Sequence, residues 1–171
     1  MKHLIIGGAR SGKSAYAEQC ALQSDKQPYY VATAEAGDEE MAARIARHRA
    51  GRDARWVLVE EPTRLAACLE PIDRRDHVIV VDCLTLWLSN CLHQDCLDVE
   101  KPKLLETLSK LQADIVLVCN EVGSGVIPMG ELSRQFVDHS GWLQQDVARL
   151  CTDVTTVIAG LPLKLKESES P

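Results

Sequence analysis

The sequence has no apolar run near the roughly 18 residues needed to span a bilayer, which excludes a membrane-spanning helix. It has no linker rich in glycine, serine or proline and no internal repeat, so its 171 residues read as one domain, residues 1–166, able to bury a real core. Positive charge is short as well. Nineteen Lys and Arg face 25 Asp and Glu, a net charge of −6, which argues against the broad basic footprint of a nucleic-acid-binding protein and favours a small-molecule substrate. The seven cysteines, Cys20, Cys68, Cys83, Cys91, Cys96, Cys119 and Cys151, contain no C-x-x-C pair. The spacings of Cys83, Cys91 and Cys96 suit neither a zinc knuckle nor a redox pair, so the thiols read as reduced and mostly buried. Apolar sequence begins at Leu4, which leaves no room for a signal peptide, and a cytoplasmic protein is expected.

What is present is an ordinary globular balance, 46% hydrophobic and 26% charged. Short apolar runs at Lys2–Ile6, Pro28–Ala32, Trp56–Glu60, His77–Asp82, Ile115–Asn120 and Thr155–Ala159 predict strands. Between them, Lys13–Gln23, Asp38–Gly51, Thr63–Leu69, Leu84–Leu92, Lys103–Leu111 and Glu131–Leu150 carry apolar residues at helical spacing. This alternation predicts an α/β fold: a doubly wound, mostly parallel sheet with helices on both faces. Only Glu167–Pro171 reads as a disordered tail.

Directly after the first apolar run stands Gly7-Gly8-Ala9-Arg10-Ser11-Gly12-Lys13-Ser14. This octamer fits the phosphate-binding loop G-x-x-x-x-G-K-[ST] at every fixed position. Glycines let the backbone curl so that its N–H groups meet phosphate oxygens, and Lys13 reaches the β and γ phosphates. Ser14 offers a hydroxyl to Mg²⁺, and the helix it opens turns its positive dipole end to the same anion. The sequence therefore predicts a P-loop NTPase-type fold binding a nucleoside triphosphate. The run Val78-Ile79-Val80-Val81-Asp82 reads as a buried central strand ending in a carboxylate, at the edge where such sheets hold ligands. Asp82 is then either a Mg²⁺ or nucleotide partner or a cap for the helix that starts near Cys83.

A second group of reactive side chains lies in Glu40–Arg52, where His48 stands among Arg44, Arg47, Arg49 and Arg52. On a helix Arg44 and His48 share a face. A cationic surround disfavours the imidazolium and keeps the ring neutral and nucleophilic; a solvated basic helix with a surface histidine fits the spacing equally well.

The loop GGARSGKS and the stretch R-I-x-x-H-R-x-x-R at Arg44–Arg52, followed by Trp56 and Glu60, resemble the bifunctional adenosylcobinamide kinase/adenosylcobinamide-phosphate guanylyltransferase family. Val81–Asn90, the loop Asn120-Glu121-Val122-Gly123-Ser124-Gly125-Val126-Ile127-Pro128 and the closing Gly160–Lys164 extend the likeness nearly end to end. The resemblance implies two reactions of cobalamin assembly, with Mg²⁺ as cofactor. In the first, ATP or GTP phosphorylates adenosylcobinamide. In the second, GMP passes from GTP through a guanylylated histidine to adenosylcobinamide phosphate, giving adenosylcobinamide-GDP. His48 matches that histidine, and Thr33, Ala34, Glu35, Arg49, Ala50, Gly51, Arg52, Glu60 and Asp82 match positions that contact GTP. The loop 121–128 is implied to border the cobinamide site, and a homo-oligomer, a trimer, is implied as well. Two departures stand out: Asp53 in place of a proline, and Trp142-Leu143-Gln144-Gln145 in place of R-x-N-Q.

Overall fold

A computed structural model of the chain describes residues 1–35, 54–126 and 129–167. In chain order these form β1 (Lys2–Gly7), α1 (Lys13–Leu22), β2 (Gln27–Ala32), β3 (Val57–Glu60) and α2 (Leu65–Leu69), which a 3₁₀ turn, Glu70–Ile72, extends. Then come β4 (His77–Asp82), α3 (Leu84–His93), α4 (Leu97–Lys110), β5 (Asp114–Asn120), α5 (Glu131–Leu150), β6 (Asp153–Ile158) and β7 (Leu161–Lys166). The strands make one sheet in the order β3-β2-β4-β5-β1-β6-β7. Neighbours are parallel except β7, which runs antiparallel to β6.

Side chains alternate between the two faces of each strand, so the inner strands feed two cores. Ile79, Val81, Ile115 and Leu117 pack with Leu65, Leu84, Trp87, Leu104, Leu143 and Val147, under α2 to α5. Val78, Val80, Val116 and Val118 pack with Ile5, Ala17 and Ala21, under α1. Burial on both faces is why β4 is apolar at each successive position rather than at alternate ones. Helices thus cover both faces, as the alternation of elements predicts. Among the described residues no helix is long and apolar enough to cross a membrane.

The differences from the sequence expectation are local. α4 starts at Leu97, six residues before Lys103, and carries Pro102 inside it; the proline reads as a helix breaker, yet the helix runs through it. β6 covers Asp153–Ile158 rather than Thr155–Ala159, because Ala159 and Gly160, both at positive φ, form the turn into β7. β7 itself was not anticipated. Pro162 speaks against a strand, and an edge strand is where a proline is tolerated. In the tail, Glu167 pairs with the Lys164 ammonium. The expected helix over Asp38–Gly51 and residues 168–171 lie outside the described residues.

His3 shows what holds β1 to β6. Its Nε2 lies 2.8 Å from Thr155 Oγ1 and its ring meets Tyr16 edge-on. Burial lowers its pKa, against the opposing field of Asp153. The unfolded ring gains its proton at a higher pH than the folded one, so stability is full above the ordinary histidine range and falls as pH drops through it. The thermal midpoint is expected to fall between about pH 7 and pH 5, and His3→Gln, which cannot protonate, should flatten that part of the profile in a melting series.

Candidate active site

The loop Gly7–Ser14 is clamped at three places. The Gly7 carbonyl accepts the Glu121 N–H at 2.9 Å, which ties the end of β1 to the end of β5. The Ser11 N–H donates to the Gly8 carbonyl at 3.3 Å, and the Ser11 carbonyl accepts the Gly160 N–H at 2.8 Å. Gly12, at φ 96°, then turns the chain into α1, a conformation that favours glycine. Lys13 is buried and donates from Nζ to the Gly8 carbonyl at 3.0 Å, so its ammonium is held across the loop. Ser14 is half-buried in the first turn of α1, and Gly8, Ala9 and Arg10 are exposed. Arg10 itself sits at φ 57°.

Gly7 is the position where the absence of a side chain matters most. A Cβ there would stand 2.5 Å from Ser11 Oγ and 2.7 Å from the Val157 carbonyl oxygen. The Ser11 hydroxyl, buried and without a hydrogen-bond partner, fills the space that a methyl would need.

Asp82 ends β4, with β5 between it and the loop strand β1, about 10 Å away at two strand spacings. Its Oδ2 accepts the Tyr30 hydroxyl at 2.7 Å, and the Tyr30 ring stands edge-on to Trp56. The capping alternative does not describe it: α3 has Cys83 at its N-cap and no side-chain cap bond. The Asp82–Cys83 peptide bond is cis. The Cys83 thiol, pushed up to about 11 chiefly by burial and then by the neighbouring Asp82 charge, is protonated at neutral pH and no nucleophile. Ser14 and Asp82 offer the hard oxygen donors that Mg²⁺ accepts. Among the described residues no group of three or more His, Cys, Asp or Glu side chains could hold a metal ion. These two therefore suit a magnesium ion whose remaining ligands are phosphate oxygens and water.

Thr33, Ala34 and Glu35 follow β2 at the same edge of the sheet. Thr33 is fully buried: its hydroxyl donates to the Cys83 carbonyl at 2.7 Å and accepts the Cys83 N–H at 2.8 Å. Its N–H donates to the Asp82 carbonyl, so Thr33 fixes the strand end, while Ala34 is half-buried and Glu35 exposed. Glu60 ends β3, level with Ala32 of β2, and is exposed. The structure thus gathers the loop, Asp82, Thr33–Glu35 and Glu60 along one carboxyl edge. His48, Arg49, Ala50, Gly51 and Arg52, with Arg44, Arg47 and Asp53, lie outside the described residues.

Four residues of this edge have contacts that the sequence does not assign: Tyr30 on Asp82, Gly160 on the loop, and Asn90 and Gln144 on strand ends. Asn90 Nδ2 donates to the Thr33 and Pro62 carbonyls at 2.8 and 3.1 Å. Gln144 Nε2 donates to the Asn120 carbonyl at 3.1 Å. Gln144 belongs to the segment that departs from R-x-N-Q, and its carboxamide holds the end of β5. Polar side chains inside amphipathic helices were the available signal, but their targets are backbone atoms distant in sequence.

Gly7→Ala should force the loop apart, since one of the clashing atoms is backbone, and weaken nucleotide binding by about tenfold or more. Gly8→Ala, whose Cβ would meet nothing within 4 Å, should bind like the unaltered protein. Titration calorimetry with a nucleoside triphosphate compares the two.

A family model described as cobinamide kinase / cobinamide phosphate guanyltransferase matches residues 3–165. The chain is 53% identical over 169 residues to the bifunctional adenosylcobalamin biosynthesis protein CobP of Pseudomonas aeruginosa, covering 97% of this chain and 98% of that protein. It is 36% identical over 187 residues to the protein CobU of the same description from Salmonella typhimurium, covering 97% and 100%. The CobU of Escherichia coli is 33% identical over 182 residues, with the same coverage. Among solved structures, the RadB recombinase superposes with a TM-score of 0.58 at 18% identity, covering 99% of this chain and 82% of that one. A KaiC-like protein from Pyrococcus horikoshii gives 0.55 at 14%, covering 98% and 79%. At those identities the structural likeness speaks for the fold alone.

Proposed function

This chain belongs to the cobinamide kinase / cobinamide phosphate guanyltransferase family, and we propose that it carries out both of the family's transfers on one carboxyl edge of its sheet. It is a bifunctional transferase of adenosylcobalamin biosynthesis. The observation that carries this reading is the extent of the match, residues 3–165, which takes in both the phosphate loop and the His48 segment.

In the kinase step the aminopropanol hydroxyl of adenosylcobinamide attacks the γ-phosphorus of ATP or GTP. Its oxygen–phosphorus bond forms as the bond to the β-phosphate oxygen breaks, the nucleoside diphosphate leaves and the hydroxyl proton passes to solvent. The loop amides and the Lys13 ammonium stabilise the charge on the transferring group. Magnesium, when bound at Ser14 and Asp82, supplies further positive charge to the phosphates. In the guanylyl step a neutral His48 nitrogen attacks the α-phosphorus of GTP and pyrophosphate departs. The substrate's phosphate oxygen then attacks the resulting phosphoramidate, releasing the histidine and giving adenosylcobinamide-GDP. Covalent relay replaces one hard transfer with two easier ones.

The layout supports this reading. Gly7 on β1 and Glu60 on β3 are four strand spacings apart, about 19 Å at about 4.8 Å each, with Asp82 between. A nucleotide lying along this edge has its phosphates at the loop and its base toward Glu60, where a carboxylate accepts the donors of guanine or a ribose hydroxyl. Arg49 and Arg52 serve the phosphates, and Thr33, Ala34, Glu35, Ala50 and Gly51 complete the nucleotide contacts. The working form in this reading is a cytoplasmic homo-oligomer, a trimer.

Incubation with α-labelled GTP is expected to leave an acid-labile, alkali-stable label on the protein. His48→Ala should abolish that label and retain phosphorylation of adenosylcobinamide, whereas Lys13→Ala should lower the kinase rate by about 10² or more. An unlabelled wild-type protein, or equal loss of both activities in His48→Ala, would overturn the reading.

A further inference from the structure

One face of α3 holds the turns that follow β2 and β3. Trp87, Asn90 and Cys91 stand three and four residues apart and so share a side of the helix. The Trp87 indole N–H donates to the Thr63 carbonyl at 2.6 Å, and the Cys91 thiol reaches the same oxygen at 3.8 Å. Asn90 touches both turns with one planar group, through its bonds to the Thr33 and Pro62 carbonyls.

Each turn is held internally by other means. Thr33 is pinned to Cys83 through its hydroxyl. The turn after Glu60 is closed by Glu61, whose Oε1 accepts the Thr63 and Arg64 N–H groups at 2.9 and 2.7 Å. The bond from Glu61 N–H to the Ala32 carbonyl, 3.0 Å, carries the β2–β3 pairing to the strand ends. The ladder ends there, and the Thr33 and Pro62 carbonyls beyond it accept from the Asn90 carboxamide. Glu35 follows Thr33 by two residues, and Glu60 precedes Pro62 by two.

We propose that Asn90 is a positioning residue for purine discrimination: by donating both hydrogens of its carboxamide to the two turns, it sets the spacing of the Glu35 and Glu60 arms that read the base and ribose of GTP. The inference rests on the proposed function in taking these arms as nucleotide contacts. The triphosphate is held elsewhere, at Gly7–Ser14, so loss of the tie weakens recognition of guanine and leaves phosphate binding in place.

Asn90→Asp tests this, because it keeps the shape of the side chain while setting an acceptor against two carbonyl oxygens. Calorimetry in the presence of Mg²⁺ should show the dissociation constant for GTP rising by about tenfold and that for ATP changing within about twofold. The KM for GTP in histidine labelling should rise in parallel, with the labelling rate at saturating GTP retained. Equal weakening for both nucleotides, or none, overturns the inference. A wild-type protein that does not prefer GTP removes the guanine-reading assignment and this inference together, whereas a preference kept intact in Asn90→Asp removes the inference alone. Asn90→Ser, which keeps a single donor, is expected to fall between and carries the comparison if Asn90→Asp does not fold. Loss of a cooperative melt in both variants makes Asn90 a residue of stability and likewise overturns its role in discrimination.

Discussion

At the carboxyl edge of a parallel sheet the ladder stops, and the backbone groups beyond it must find other partners or be buried at a cost. In this chain side chains and neighbouring turns supply them. The Asn120 N–H donates to Thr85 Oγ1 at 2.6 Å, while its carbonyl takes Gln144. Cys83 takes the Thr33 hydroxyl, the Thr33 and Pro62 carbonyls take Asn90, and the Gly7 carbonyl takes the Glu121 N–H. Those at Gly7 and Thr33 also fix residues of the candidate site. Phosphoryl and nucleotidyl transfer depend chiefly on position and on charges already in place, so one set of bonds serves both the fold and the chemistry.

The antiparallel strand β7 follows from the same constraint, although it adds little core. Leu161, Leu163 and Leu165 are all well exposed, so apolar burial does not explain the strand. Its contribution is the turn before it. Ala159 and Gly160 at positive φ suit the twist of a tight hairpin, and the turn they make brings the Gly160 N–H to the Ser11 carbonyl and the Gly160 Cα beneath Gly12. The Lys166 ammonium anchors the far end of the strand on the Ala148 and Cys151 carbonyls. Through that hairpin the last strand braces the first loop.

What could be read from the sequence follows from how local its causes are. β4 declares itself by four successive apolar residues, Val78 to Val81, before Asp82, and the phosphate loop by a spacing that serves one kind of ligand. The stripe of α5 spans twenty residues at helical period. β7 did not show, because its determinants are a two-residue turn without the usual Asn-Gly spelling and a pairing partner whose own boundary was misplaced. In α4 the local rule that Pro102 disfavours a helix interior is overridden by the tertiary packing of Leu97 and Leu104. In the site, the phosphate loop and Asp82 could be read from residue type and position, and Thr33, Ala34, Glu35 and Glu60 only through the family resemblance. The contacts of Tyr30, Asn90, Gln144 and Gly160 could not, since each acts on an atom from 24 to 149 positions away along the chain.

The proposed division between a phosphate loop and base-reading turns bears on how one chain can run two transfers. Both proposed reactions hold a triphosphate, yet one breaks the γ bond and the other attacks at the α-phosphorus, so the phosphate cradle alone cannot select between them. Guanylyl transfer, which in this reading takes GTP alone, needs a second element, at a distance from the loop, that registers the guanine. The turns after β2 and β3 lie three and four strand spacings from β1, about 14 and 19 Å, and are tied to the central strand through Thr33 and Cys83. In the proposed reading the rigidity of that far end matters as much as the chemistry of the near one, because a base held there sets how the α-phosphorus is presented on the edge.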